Sequence, residues 1–294
     1  MCRDMKLESI DWHLREPVEQ IRRAYGSDTS AHAFSTLYLW KQEMDLSLVL
    51  DPEFFAVRFG MRGENSWFFP YGREDGVRAF LRERMEEGRC RLSYARAREA
   101  ELLERWFPGA FDICRAPEDD EYLYDRGQQL ALRGKSFRRQ RHDLNRVQGR
   151  YTPLVLPVGP ENADQCRQVL NTWKKREHSH GVSGLMDVAA GETMLGNLEN
   201  LGIIGVLIMV DGSPAAVAAG YPLTDSVFDL CVSQQITPDP ELSTFARHAL
   251  LENLDEEFRE INGEEDLGID GLRSLKEGLC PSRKIEMYTC TRRP

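Results

Sequence analysis

The sequence has no apolar segment long enough to cross a membrane. Its longest apolar run, Ile203 to Val210, is interrupted by Gly205, whereas a membrane-spanning helix needs about 20 apolar residues. The first residues, Met1 to Asp4, also lack the apolar stretch of a signal peptide. These absences predict a soluble protein that has no transmembrane segment and stays in the cytoplasm.

Paired cysteines are absent as well. The seven cysteines are scattered along the chain, their number is odd, and no Cys-x-x-Cys pair occurs. This pattern indicates unpaired thiols in a reducing compartment, without a disulfide framework or a zinc site. His178 and His180 stand close together, but no partner cysteine or histidine lies nearby in the sequence, so no metal site is expected.

Acidic residues outnumber basic ones over most of the chain. The formal net charge is −10, which argues against a nonspecific nucleic-acid binder. Seven Lys or Arg residues nevertheless fall between Arg133 and Arg150 against one acid, Asp143, so this stretch carries +6 and the remainder −16. A concentrated basic stretch on an acidic chain indicates one anionic partner, bound at one place.

Helical periodicity sorts this basic stretch into two faces. At 100° per residue the cationic side chains fall within an arc of about 120°, and Phe137, Leu144 and Val147 lie on the opposite side, where they can pack on a core. The cationic face consists of Lys135, Arg138, Arg139, His142, Arg146 and Arg150. We expect this face to grip an anionic donor such as tRNA, mainly through the first five of these residues. The alternative is a solvated helix that pairs with the acidic remainder of the chain.

The order of predicted elements is typical of an acetyltransferase-type α/β fold. In the second half, two helices precede a hairpin over residues 203–221 and a strand at 227–233. A helix then begins at Asp239-Pro240, with Asp239 as its cap, and runs to about Phe258, before a last strand at 284–289. The first half is compatible with a second, degenerate copy of this order.

The predicted fold class is therefore α/β (α+β), with two tandem acetyltransferase (GNAT)-like domains. Each domain has a mixed, mostly antiparallel sheet flanked by helices. The predicted division places an N-terminal half at 1–118, a bridging segment with the basic helix at 119–152, and a C-terminal half at 153–294.

The most distinctive motif lies near the C-terminus. It reads Ile261-Asn262-Gly263-Glu264-Glu265-Asp266-Leu267-Gly268-Ile269-Asp270-Gly271-Leu272-Arg273-Ser274-Leu275-Lys276, and Pro281 and a terminal strand follow it. This motif resembles the signature of the phosphatidylglycerol lysyltransferase C-terminal-domain family, many of whose stand-alone members have no assigned function. The basic stretch from Leu132 to Tyr151 resembles the same family, and the element order between the two covers nearly the whole chain.

The resemblance implies a pair of acyltransferase-like domains with a groove between or beside them. Relatives such as the Fem-type peptidoglycan aminoacyltransferases take an aminoacyl group from a charged tRNA and pass it to an amine or hydroxyl acceptor. The lysyltransferases modify a lipid while attached to a membrane-spanning half. This sequence shows no such half, which argues against lipid modification. The acceptor, whether a small molecule, a peptide or a lipid, is not identified by the sequence.

The sequence departs from the family pattern in two places. Gly263 stands where the family often has Arg, and Glu277-Gly278 replaces a more usual Ser-aromatic pair. In acetyl-CoA enzymes of this fold, a Gly-rich turn cradles the pyrophosphate at a helix N-terminus. The corresponding stretch here, Gln234 to Pro240, has no glycine and two prolines. No cofactor is therefore expected, and acyl-CoA is disfavoured.

Four residues of the C-terminal motif are candidates for catalysis. Arg273 offers a planar fork for a carboxylate or phosphate, and Lys276 adds a point charge one helical turn later. Glu265 or Asp266 could hold the attacking amine or accept its proton. The alternative is that Asp266 and Arg273 pair to fix an irregular loop.

These residues favour an acyl- or aminoacyltransferase that uses an aminoacyl-tRNA. One alternative function is a non-catalytic binding or regulatory protein that keeps the fold. Another is an acyl-CoA-dependent N-acetyltransferase, which would need free backbone donors at Gln234 to Thr237.

Overall fold

The protein, seen in a computed structural model that describes residues 6–179 and 187–294, consists of alternating helices and strands. The strands are β1 (Leu7–Ser9), β2 (Leu46–Leu50), β3 (Phe54–Phe59), β4 (Ser66–Phe68), β5 (Tyr71–Gly72), β6 (Arg91–Arg96), β7 (Phe111–Arg115), β8 (Glu121–Asp125), β9 (Leu154–Pro157), β10 (Ile204–Val210), β11 (Ser213–Pro222), β12 (Val227–Gln235), β13 (Glu260–Asn262), β14 (Arg283–Ile285) and β15 (Met287–Arg292). The helices are α1 (Arg15–Tyr25), α2 (Phe34–Trp40), α3 (Glu74–Glu86), α4 (Ala97–Trp106), α5 (Arg126–Ala131), α6 (Arg138–Arg150), α7 (Ala163–Ser179), α8 (Asp187–Leu195), α9 (Leu198–Leu201), α10 (Glu241–Asn253) and α11 (Asp270–Gly278). Among these helices, none is both long and apolar enough to cross a membrane.

The strands form two mixed sheets. One has the order β1-β2-β3-β4-β6-β15-β7, with β5 paired to β3, and the other has the order β14-β8-β13-β12-β11-β10-β9. The chain correspondingly forms two compact units. The first contains the described residues up to Glu121 together with Glu265–Leu272 and Lys284–Pro294, and the second contains Tyr122–Glu264 and Arg273–Arg283.

This division differs from the predicted one, which assigned everything after residue 153 to a C-terminal half. The last strand, β15, belongs to the first sheet, where Met287 pairs with Arg96 of β6 and Tyr288 pairs with Arg115 of β7. The basic helix α6, predicted to lie in a bridging segment, belongs to the second unit, where it packs against α10. Strand pairing between distant residues decides both assignments, and local sequence patterns do not show it.

The first unit buries an apolar core beneath α3 and α4. Phe54, Trp67, Phe80, Leu92 and Cys290 all belong to it, so the last strand contributes to the same core as the first sheet. Two of its strands, β4 and β6, run parallel, from Ser66↔Arg91 to Phe68↔Ser93. The pairing of β6 with β15 shifts register just beyond this point.

The second unit carries helices on its central strands. In β11, Ala216 and Ala218 belong to the core beneath α10, whereas the intervening Val217 is also buried but points to the opposite face, as alternation along a strand requires. Both α7 and α10 contact β11 and β12. Burial on both faces explains why these strands read as nearly continuous apolar runs in the sequence.

Helix α10 is shorter than predicted at its C-terminal end, and its cap is different. It ends at Asn253, because Leu254 adopts an extended conformation. The Arg126 side chain donates hydrogen bonds to the carbonyls of Leu251, Leu254 and Asp255, which satisfies backbone groups that the ending helix leaves open. At its beginning Pro240 is the N-cap, and Asp239, predicted to be the cap, uses its side chain elsewhere.

A glycine in β11 allows a close backbone approach at a register shift. A Cβ atom on Gly220 would lie 1.7 Å from the carbonyl oxygen of Asp229, and the ladder between β11 and β12 shifts register between Ala219 and Tyr221. We expect Gly220→Ala to lower the free energy of unfolding by about 3 kcal/mol, because the strands must separate to admit the methyl group.

The matched control is Gly149→Ala in α6, where an added Cβ meets nothing within 4 Å. Helix propensity should make that variant more stable by roughly 0.5–1 kcal/mol. Denaturant unfolding of both variants provides the measurement. Equal effects in the two variants would contradict the close approach at Gly220.

Candidate active site

A pair of parallel strands in the second unit leads the chain into the C-terminal motif. The ladder between β12 and β13 runs from Val227↔Glu260 to Asp229↔Asn262. Beyond it β12 continues to Gln235, whereas β13 ends. Asp229 and Asn262 are completely buried, and Asn262 Oδ1 accepts a hydrogen bond from the Glu264 N–H at 2.8 Å. The motif therefore leaves the sheet from a fully buried position.

The glycine that departs from the family pattern has a structural cause. A Cβ atom on Gly263 would lie 2.8 Å from Cε2 of Tyr124, so the Tyr124 ring occupies the space that a side chain would need. The Gly263 N–H donates to the Tyr122 carbonyl at 2.8 Å. An arginine cannot fit at position 263 unless Tyr124 moves.

Asp266 closes the loop of the motif. It is fully buried, its Oδ1 accepts from the Gly268 N–H at 2.9 Å, and its carbonyl accepts from the Ile269 N–H at 2.9 Å. The loop backbone is unusual, since Glu264 and Leu267 have positive φ values of 57° and 55°, which non-glycine residues rarely adopt. Asp266 thus has a clear structural role, and its proposed chemical role stays a prediction.

Lys276 is buried beside two tyrosines of the second unit. Its Nζ donates to the Gly263 carbonyl and lies 5.9 Å from the centroid of the Tyr122 ring. Its own carbonyl accepts from the Tyr124 hydroxyl at 3.0 Å. These contacts tie α11 to β8 and to the start of the motif loop.

The four predicted catalytic residues divide between the two units. Glu265 and Asp266 belong to the first, whereas Arg273 and Lys276 belong to the second, with the half-buried Arg273 one helical turn before Lys276 on α11. The convergence of all four in one groove stays a prediction.

Within the first unit, the charge of Glu265 acts on the pKa of Tyr94, a tyrosine with an unusual backbone conformation. Tyr94, in β6, has a φ of 54°, which is a strained value for a bulky residue and often occurs at functional sites. Burial raises the pKa of Tyr94, and the negative charges of Glu265 and Asp119 raise it further. Glu265 and Asp119 therefore lie close enough to Tyr94 for their charges to act on its hydroxyl.

Asp119 is the acid in this cluster best suited to exchange protons near neutral pH. Burial raises its pKa from 3.8 to about 6, and the neighbouring Glu118 carboxylate adds to the rise. Arg62 and Arg91 act in the opposite direction. A carboxyl group with a pKa near the working pH can both take and release a proton.

The sequence offered no signal for Asp119 or Tyr94. Asp119 lies in an acidic stretch, Pro117 to Glu121, that is typical of an exposed connection. In the structure Asp119, Asp120 and Glu121 are all buried. Only the tertiary fold distinguishes this buried acidic segment from a solvated one.

The predicted basic face lies on α6, but only part of it is unpaired. Phe137 and Val147 are buried on the opposite side, as expected. Arg146 pairs with Glu241 at 3.0 Å, and Arg150 pairs with Asp239 at 2.6 Å. The exposed side chains of Lys135, Arg138 and Arg139 form no ion pair within residues 6–179 and 187–294, and Lys135 precedes the helix. The exposed His142 lies with its Nδ1 3.7 Å from Asp143.

An acid occupies the N-terminus of α10, where related folds bind a pyrophosphate. The buried Asp239 carboxylate accepts from Arg150 and from the Tyr151 hydroxyl. The Ile236 N–H donates to the Ala215 carbonyl at 3.0 Å, and the Asp239 N–H donates to Thr237 Oγ1 at 3.3 Å. These donors are already engaged within the protein.

His178 and His180 lie outside the residues whose side chains the structure describes. Among the described residues, no group of three or more His, Cys, Asp and Glu side chains is arranged to hold a metal ion.

Solved structures with the same fold define the class of protein. A conserved protein of unknown function from Bacteroides thetaiotaomicron has a TM-score of 0.90 at 23% identity, over 98% of this chain and 100% of that chain. L-PGS from Bacillus licheniformis has a TM-score of 0.66 at 16% identity, over 97% of this chain and 93% of that chain. FemX has a TM-score of 0.64 at 7% identity, over 97% of both chains. The fold is thus a tandem GNAT-like one, which confirms the predicted fold class.

The sequence matches the family "Phosphatidylglycerol lysyltransferase, C-terminal" over residues 22–291, and the chain belongs to that family. The resemblance read from the two motifs is therefore confirmed. No curated protein matches the sequence. Family membership supports a protein of the acyl- or aminoacyltransferase kind.

The environment of Asp119 generates a testable dependence of stability on pH. Its pKa is higher in the folded protein than in the unfolded chain, so the wild type loses stability as the pH rises from about 4 to about 6. Asp119→Asn removes this loss. We expect the variant to gain on the order of 2 kcal/mol relative to wild type between pH 4 and pH 7.5, measured by denaturant unfolding.

Asp120→Asn is the matched control, because the adjacent carboxylate is well paired. It accepts from Arg115 at 2.7 and 2.8 Å and from the Met287 N–H at 2.8 Å. This variant should be less stable than wild type at pH 7.5. If Asp119→Asn were equally destabilising at both pH values, Asp119 would not be an ionised, poorly stabilised carboxylate.

Proposed function

We propose that the chain is an aminoacyltransferase that takes its acyl group from a charged tRNA and passes it to an amine or hydroxyl acceptor. The observation that carries this proposal is the exposed basic group of Lys135, Arg138 and Arg139 on an otherwise acidic chain. Cations that form no ion pair with the described residues are available for phosphates. Family membership supports the same kind of reaction.

The proposed chemical roles follow from the environment of each side chain. Arg273 and Lys276 bind the donor or stabilise the oxyanion that forms when the acceptor attacks the ester carbonyl. Asp119 or Glu265 receives the one proton that the attacking amine or hydroxyl loses and returns it to the tRNA hydroxyl that leaves, and the raised pKa of Asp119 suits it to that task. Asp266 supports this arrangement by holding the loop.

The start of α10 supports a donor other than acyl-CoA. A pyrophosphate there would meet the Asp239 carboxylate, and Pro238 and Pro240 have no backbone N–H to offer. An acyl-CoA-dependent N-acetyltransferase is therefore the less favoured enzyme.

A non-catalytic binding protein is the second candidate. Two of the predicted catalytic residues, Asp266 and Lys276, already bond to backbone groups of the motif loop. Groups engaged in this way can hold a loop without acting on a substrate. This candidate keeps the fold and the basic group but has no transfer activity.

The test of the proposed function is binding of bulk charged and uncharged tRNA, and of acetyl-CoA, at two salt concentrations. We expect salt-sensitive binding that prefers charged tRNA. In the double variant Arg138→Glu and Arg139→Glu, affinity should fall about tenfold or more. The slope of log K against log salt should decrease by about 1.5, since two phosphate contacts are lost.

A control double variant, Arg78→Glu and Arg82→Glu, makes the same change in net charge on the exposed face of α3. Its affinity for tRNA should stay close to wild type. An equal loss in both double variants would show that tRNA affinity depends on the net charge of the protein and not on the basic group. Binding of acetyl-CoA without tRNA would replace the proposal with the acyl-CoA enzyme, and binding of neither would favour the non-catalytic protein.

A further inference from the structure

Helices α6 and α10 of the second unit run antiparallel. Three pairs of facing residues mark the interface between them, which we call the seam. Arg150 pairs with Asp239, and Arg146 pairs with Glu241. Thr244 Oγ1 then donates to Asp143 at 3.2 Å. From the second pair to the third, the facing residue moves three positions back along α6 and three positions forward along α10. The same spacing of three residues predicts that Gln140 faces Arg247.

Arg247 is a buried cation with an open hydrogen-bonding edge. Only 6% of the residue is exposed, and its Nε and Nη2 have no hydrogen-bond partner among the described residues. Its guanidinium lies 4.4 Å from the centroid of the Tyr124 ring. No carboxylate in the described part of the chain forms an ion pair with it. Burial of a charge in this way is costly unless an anion and hydrogen bonds compensate it.

The two open atoms form one side of the guanidinium. Nε–H and one Nη2–H point the same way in the plane of the group, which is the fork that receives both oxygens of a carboxylate. This edge of the guanidinium therefore has the donor geometry that a bidentate carboxylate matches.

Gln140, on the α6 side of the seam, has a buried acceptor without a donor among the described residues, whereas Arg247 has buried donors without an acceptor there. It is 4% exposed, and its Nε2 donates to the Gly278 carbonyl at 2.8 Å, which fixes the orientation of the amide. Its Oε1 is buried and has no hydrogen-bond partner among the described residues. The seam thus contains two donors that need an acceptor and one acceptor that needs a donor.

Both side chains also converge on the same short segment. Gln140 bonds to Gly278, and Tyr124, the stacking partner of Arg247, donates its hydroxyl to the Lys276 carbonyl. Burial raises the pKa of the Tyr124 hydroxyl, the positive charge of Arg247 lowers it, and the Cys280 thiol raises it. Both Arg247 and Cys280 therefore lie near Tyr124. The segment from Lys276 to Cys280 therefore lies beside both deficient groups.

We propose that the seam between α6 and α10 binds a small carboxylate that also carries a hydrogen-bond donor, that is, an amino- or hydroxy-carboxylate. Its carboxylate accepts from the Nε–Nη2 edge of Arg247, and its donor group bonds to Gln140 Oε1. This site does not depend on the proposed acyl transfer.

The charge of Arg247 and the atoms of the two side chains that have no partner among the described residues select this class of ligand. A single guanidinium matches one negative charge, whereas a doubly charged sulfate or phosphate would bring an excess charge into a buried site. A simple carboxylate such as acetate would satisfy Arg247 but leave the Gln140 oxygen without a donor. A carboxylate that bears an amine or hydroxyl satisfies all three atoms.

The test is thermal unfolding of the full chain with glycolate, glycine, acetate or sulfate at constant ionic strength. We expect glycolate or glycine to raise the Tm by about 5 °C at a hundredfold excess over the dissociation constant. Acetate should act more weakly, and sulfate should have no specific effect. A Tm that neither glycolate nor glycine raises would overturn the proposal and leave a water molecule as the partner of the two groups.

Two substitutions at position 247 separate binding from folding. Arg247→Lys keeps a charge but lacks the fork, so the shift in Tm with glycolate or glycine should disappear. Arg247→Met removes the uncompensated charge, so its Tm without any probe should be equal to or higher than that of wild type. If the shift persisted in both variants, it would come from another site.

Arg126→Lys is the matched control for the loss of a buried guanidinium in the same unit. Arg126 is also buried, but backbone carbonyls satisfy its donors. Its replacement should lower the Tm without probe and leave the shift with glycolate or glycine unchanged. Gln140→Met should make glycolate and acetate act alike, and a preserved preference for glycolate would contradict the role of Gln140.

Discussion

Three residues in the middle of the second sheet hold much of its structure together. The short strand β13 pairs in parallel with β12 and antiparallel with β8, so it connects β8 to the strands from β12 to β9. Its last two residues, Ile261 and Asn262, are completely buried. Because the amide of Asn262 also accepts the Glu264 N–H, the residue that ends the strand begins the motif loop. The position of the C-terminal motif therefore depends on this pairing.

The buried charges of the protein differ in how they are compensated. Arg126 donates to carbonyls at the end of α10, and Lys276 donates to the Gly263 carbonyl. Asp120 has Arg115 and a backbone N–H. Asp119 and Arg247 are less well compensated. Burial raises the pKa of Asp119 and lowers the pKa of Arg247, which in each case favours the neutral form. A buried charge without full compensation destabilises the fold, so these two positions are the ones where a function can offset the cost.

The distribution of charge on α6 shows how an acidic chain keeps a small basic surface. Acids at the beginning of α10 neutralise Arg146 and Arg150, and these pairs join the two helices. Toward the N-terminal end of α6, Arg138 and Arg139 are exposed and form no ion pair with the residues that the structure describes. The exposed basic group is therefore confined to the N-terminal end of the helix and the residues just before it.

The sequence by itself determined the features that depend on neighbouring residues. Periodicity placed Phe137 and Val147 on the buried side of α6, turn residues marked the hairpin of β10 and β11, and the motif from Ile261 to Lys276 identified the family. Only the tertiary structure decided which unit the last strand joins, because β15 pairs with strands far away in the chain. It also decided the environments of Asp119, Gln140 and Arg247, because burial and the absence of a partner are set by packing between segments that the sequence does not show to be neighbours.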